Sequence, residues 1–122
     1  MAATKYKTDK HGKIARLVRL ATPDAERVRA ACNSAGITLL SFYTSAAKAY
    51  LKARAENTVI PITPTPTGVQ FDVLTVRVSP GLFEELEAAA TRDGVHLGRL
   101  LATALIYGVD LVESSQALPD DS

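Results

Sequence analysis

Two arginines stand at matching places in two strand-like runs: Arg19 in KIARLVRL, residues 13–20, and Arg77 in FDVLTVRV, residues 71–78. A guanidinium presents a rigid fork of N–H donors that fits a guanine edge or a phosphate, so arginines held on extended segments are recognition groups rather than catalytic ones. Alternation sets Ile14, Val18 and Leu20 on one side of the first run and Lys13, Ala15, Leu17 and Arg19 on the other, with Arg16 breaking the pattern. In the second run Leu74, Val76 and Val78 alternate with Val73, Thr75 and Arg77. Little else in the chain is reactive. No pair of histidines stands near carboxylates, and there is no glycine-rich phosphate loop or nucleophile elbow, so an enzyme is not expected. His11, His96 and the lone Cys32 make no metal set, and no cofactor is expected. Cys32 falls on an apolar helical stripe and reads as a small core residue.

Each strand-like run leads into two helical patterns. After the first, Thr22-Pro23 is read as an N-cap and first helical residue, with Asp24 and Glu26 where the helix dipole favours acids. Ala25, Val28 and Cys32 form the stripe, and Gly36 is the left-handed stop. Thr38 then caps a longer helix to about Arg54, carried by Leu39, Phe42, Tyr43, Ala46, Ala47, Tyr50 and Leu51. Tyr43, Tyr50 and Tyr107 all have helical placement, so packing is expected of each. After the second run, Ser79-Pro80 repeats the helix start, and Leu82, Phe83, Leu86, Ala89 and Ala90 form the stripe up to Gly94. A last helix spans about Leu97 to Val112, with Leu100, Leu101, Ala104, Leu105 and Leu111 inward. Residues 1–12 read as a flexible basic arm, 13–55 as the first unit, 56–70 as a linker with prolines at 61, 64 and 66, 71–112 as the second unit, and 113–122 as a polar acidic tail.

The two units repeat at an offset of 58: Val18 matches Val76, Arg19 Arg77, Leu20 Val78, Val28 Leu86, Gly36 Gly94, Ile37 Val95 and Leu39 Leu97. One strand with two helices has neither a pairing partner nor an enclosed core, and two such units provide both. LTVRVSPGLFEELEAAATRDGVHLGRLLATALIYG resembles the ribbon-helix-helix superfamily of Arc and MetJ, and KIARLVRLATPDAERVRAACNSAGITLLSFYTSAAKAYL is similar to it as a more divergent copy. Two units in one chain further resemble the TraY-type accessory proteins of conjugation and the VirC-type tandem proteins of T-DNA transfer.

The resemblance implies a mainly α fold with a two-stranded antiparallel ribbon, a tandem pseudo-dimer that binds double-stranded DNA by laying the ribbon in the major groove. Its base-reading positions fall on Ala15, Leu17 and Arg19 and on Val73, Thr75 and Arg77; only Thr75 and the arginines are polar, which argues against stringent specificity. Phosphates are expected at the starts of the longer helices, near Thr38, Ser41, His96 and Arg99, and along Lys5, Lys7, Lys10 and Lys13. The implied role is an accessory factor in DNA transfer, working beside a relaxase or other DNA-processing protein and able to assemble further on DNA. A repressor of the same family is the alternative.

Charge bears on these readings. The chain carries only +1 net, yet residues 1–58 hold eleven Lys and Arg against four acids and residues 59–122 three against nine. The basic half suits phosphate; an uneven solvated surface explains the split equally well. A protein-interaction adaptor, docking a partner on Glu84, Glu85, Glu87 and Asp93, is the competing reading from another class. No run nears the roughly 20 apolar residues of a membrane span, no secretory segment opens the sequence, and the composition suits a reducing cytoplasm.

Overall fold

The structure, a computed structural model, describes residues 7–120. Six elements follow in order: β1 (Ile14–Ala21), α1 (Thr22–Ala35), α2 (Leu39–Ala55), β2 (Phe71–Val78), α3 (Pro80–Asp93) and α4 (Leu97–Glu113). β1 and β2 pair antiparallel as a two-stranded sheet, and the four helices lie against one of its faces. The alternation read in the sequence decides which face. Ile14, Val18, Leu20, Val76 and Val78 are essentially sealed from solvent, with Leu74 close behind, whereas Leu17 is 70% exposed.

Beneath the ribbon the core is built by Phe42, Tyr43, Phe83, Leu86, Leu100, Leu101 and Leu105, all fully buried. Each such side chain contributes roughly 1.5–3 kcal/mol relative to exposure. Tyr43 is sealed yet satisfied, since its hydroxyl donates to the Leu101 carbonyl at 3.1 Å. Burial pushes its phenol pKa well above the ordinary value. α2 and α4 cross at Gly108, where a Cβ would lie 2.4 Å from the Ala46 Cβ. Only glycine permits that approach. Cys32 is buried on α1, as its place on the stripe implies.

The repetition persists in three dimensions. Thr22–Ala35 and Pro80–Asp93 are 58 positions apart, as are Leu39–Ala55 and Leu97–Glu113. Gly36 and Gly94 end their helices at φ 68° and 67°, and Asn57 and Ser115, again 58 apart, take φ 63° and 60°. Leu17 faces Thr75 across the ribbon, a pair separated by the same offset. An antiparallel pairing centred there is unchanged when the two halves are exchanged.

One local expectation is revised. Thr22 is not the cap of α1 but its first residue, with Ala21 at the N-cap. Its hydroxyl donates to Asp72 Oδ1 at 2.8 Å, a charge-assisted bond that ties the start of α1 to β2. Ser79 does occupy the N-cap of α3, though its side chain makes no capping bond. The linker has no regular structure but is tied down: the Thr63 N–H donates to Thr103 Oγ1 at 2.9 Å, and Ile60 packs against the core. Beyond α4, Leu118 also packs on the core and Lys48 Nζ donates to the Asp120 carbonyl at 3.4 Å, so the described part of the tail folds back.

Candidate nucleic-acid interface

The outward face of the ribbon is formed by three cross-strand pairs, Ala15 with Arg77, Leu17 with Thr75 and Arg19 with Val73. These are the six positions expected to read bases, and strand alternation gathers them on one side away from the helices. Ala15, Leu17, Arg19, Val73 and Arg77 are exposed, and Thr75 is half-buried. An apolar residue 70% exposed at the centre of a face has no packing role there. Two guanidiniums sit diagonally across it, one toward each end.

The ends differ in what surrounds each arginine. Arg19 lies over the Phe71 ring, 5.4 Å from its centroid, which fixes the guanidinium without neutralising it. Arg77 has its Nε 3.6 Å from Asp9 Oδ2. Asp9 is in turn held by a turn that the sequence reading of a featureless arm did not anticipate: its carboxylate accepts the N–H groups of Lys13 and His11 at 3.0 and 2.8 Å. Those bonds, the one from Lys13 above all, hold its carboxyl below the usual range. Lys7 and Lys10 are exposed, and Lys5 lies outside the described residues.

At the helix starts the expected phosphate residues are distributed unequally. Thr38 Oγ1 accepts the Ser41 N–H at 3.1 Å, and His96 Nδ1 accepts the Gly98 N–H at 3.1 Å, so both cap their own helices while remaining exposed. Ser41 borders an open cavity of about 430 Å³ with Lys13, Thr44, Lys48 and Ser79. Arg99, its counterpart in the second half, bridges two backbone carbonyls, Pro64 at 3.0 Å and Arg19 at 2.9 Å. Burial, with the Arg19 charge adding, lowers its pKa from the ordinary value.

The charge split of the sequence has a structural use as well. Arg27 donates to Glu113 and Asp110, each at 2.7 Å, Arg29 to Asp72 at 2.8 Å, and Arg54 to Asp93 through Nε at 2.7 Å. Basic residues of the first half thus clasp acids of the second. Asp93, one of the acids considered for an adaptor surface, is committed to this pairing, while Glu84 and Glu85 are exposed. The basic groups not spent on the clasp include Lys13, Arg16 and Arg19, all on or beside β1.

Sequence reasoning missed Arg16, Phe71, Asp9 and the Pro64 carbonyl as part of this surface. Arg16 has the parity of the inner face yet is exposed, with its guanidinium 4.8 Å from the centroid of the Phe83 ring. Phe71 was legible by parity with Val73 and Thr75. Asp9 had a faint signal, an acid three residues before Gly12, but its reach to Arg77 is tertiary.

Among the described residues, no group of three or more His, Cys, Asp or Glu converges as a metal site. No single helix among them is long and apolar enough to cross a membrane. Comparison of the chain with protein-family models, with curated proteins and with solved structures finds no match.

Proposed function

We propose that this chain binds double-stranded DNA as a single-chain ribbon-helix-helix pseudo-dimer, with the β1–β2 ribbon in the major groove. The observation that carries the reading is the exposed outer face of the ribbon, bearing Arg19 and Arg77 at either side of the Leu17–Thr75 pair. A major groove about 12 Å wide accepts a two-stranded ribbon, and each arginine can then fork onto a guanine edge while Leu17 and Val73 meet thymine methyls. The helix starts at Thr38 and His96 flank the groove and suit phosphates. The register supports the pseudo-dimer, since it equates the two halves. Function as an accessory factor in DNA transfer, beside a relaxase, rests on the single-chain layout alone.

The test is a gel-shift titration of random-sequence and selected duplexes with the Arg19→Ala, Arg77→Ala double variant. Loss of most binding, with an unchanged far-ultraviolet circular dichroism spectrum, is the expected result; undiminished affinity of the folded variant refutes the ribbon as the contact surface. Wild-type affinity should also fall steeply with salt, the logarithmic slope tracking the number of phosphates neutralised.

A further inference from the structure

Resting on the DNA-binding reading, we infer that the protein recognises a non-palindromic duplex site and sits on it in one fixed orientation. A ribbon built from two identical halves would present the same surface to both half-sites, and its target would be an inverted repeat. Here the halves match in backbone but not in what flanks the ribbon. On the outer face, the offset of 58 equates Ala15 with Val73 and Leu17 with Thr75, so the groups offered to the two half-sites differ at two of three positions.

The flanks differ more. At the end where β1 starts, the cavity beside the α2 start is open and bordered by Lys13, Ser41 and Ser79. The positions equivalent to these in the other half are Phe71, Arg99 and Ala21. There the linker runs through: Thr63–Thr67 border a cleft with Ala21 and Asp24, and Arg99 joins the Pro64 carbonyl to the Arg19 carbonyl of β1. The Thr103 hydroxyl secures this course, accepting the Thr63 N–H at 2.9 Å and donating to the Arg99 carbonyl at 2.7 Å. One end of the ribbon therefore carries a strap of uncharged Thr and Pro, and the other a polar, lysine-bordered recess.

The two reading arginines are unequal for the same reason. Arg77 shares its end with the Asp9 carboxylate, and a base contact there competes with that pair. Arg19 rests on the Phe71 ring, 5.4 Å from its centroid, and has no ion pair with a carboxylate among the described residues. Reversing the protein on a given site exchanges an arginine beside a carboxylate for one over an aromatic ring, and a lysine-bordered flank for one strapped by Thr and Pro and bordered by Asp24. The two orientations are thus different complexes with different affinities.

The experiment starts by selecting bound sequences from random duplex DNA and then reads orientation directly. Glu26 and Glu84, 58 residues apart, are exposed just past the first turns of α1 and α3, which leave the ribbon at opposite ends. An iron chelate is attached at the introduced thiol of Glu26→Cys or of Glu84→Cys, in a Cys32→Ala background or, if that loses its fold, Cys32→Val. The expected result is an asymmetric selected site, cut by the first conjugate on one flank only and by the second on the opposite flank. Palindromic duplexes made from either half-site should bind more weakly, each unfavourable base pair reducing affinity roughly 5- to 150-fold. An inverted-repeat or featureless selected site, or equal cutting of both flanks by each conjugate, overturns the inference while leaving DNA binding intact. Absence of any retarded complex overturns the DNA-binding reading itself.

Discussion

Gly108 marks a close approach of α2 to α4, and its neighbours show how little room the core has there. A Cβ there would meet the Ala46 Cβ at 2.4 Å and the Ala46 Cα at 3.2 Å, and the second of these is backbone that no rotamer change relieves. In the first half the equivalent position is Tyr50, whose ring packs edge-on to Tyr107 at 6.3 Å. The two halves therefore fill the same crossing with residues of opposite size. Gly108→Ala should cost about 1–3 kcal/mol through overpacking, read as a lowered urea midpoint, and adding Ala46→Gly should recover part of that loss. An unchanged midpoint in the single variant would mean that the helices separate without penalty.

At the scale of the element, the glycine helix ends were fully legible in the sequence, as was the Thr38 cap of α2, whereas the start of α1 was not. Gly36 and Gly94 were readable because a left-handed residue has a strong chemical preference, and both take it. Gly94→Ala should lower stability by about 1–2 kcal/mol in thermal or urea denaturation, and Gly36→Ala by a similar amount. Equal stability of both variants would place the cost of these turns elsewhere. Thr22 was misread as a cap because its hydroxyl has two uses and only the folded chain brings Asp72 within reach. The outer face of the ribbon was legible for the same reason as the glycines, since a period of two follows from strand geometry alone. The employment of Arg99 was not, because a side chain that closes onto the carbonyls of Pro64 and Arg19 leaves no local pattern.

Across the whole molecule, the two halves are joined by the ribbon, by the buried crossing of α2 and α4, and by a peripheral clasp of ion pairs. Asp72, Asp93 and Glu113 all have their pKa values lowered from the ordinary ones, through hydrogen bonds from Thr22 and Arg29, from Arg54, and from Arg27 respectively. A carboxyl whose pKa is lower folded than unfolded binds fewer protons in the native state. Its stabilisation is complete above the unfolded value, near 4, and is lost as pH falls through the folded value. The urea midpoint should accordingly hold between pH 7 and 5 and fall as pH drops below about 4, less steeply in high salt, which screens these exposed pairs. A midpoint flat down to pH 2 would show that the clasp contributes nothing. The pairing of β1 with β2 also has a temporal consequence on the ribosome. Val78 follows Ala21 by 57 residues, so at 5–20 residues per second the first strand waits roughly 3–11 s for its mate. During that interval Ile14, Val18 and Leu20 lack the cover that α4 later supplies, and the strand's N–H and C=O groups form an open template for a neighbouring nascent chain. Translational arrest inside that window would release a half-product primed to self-associate.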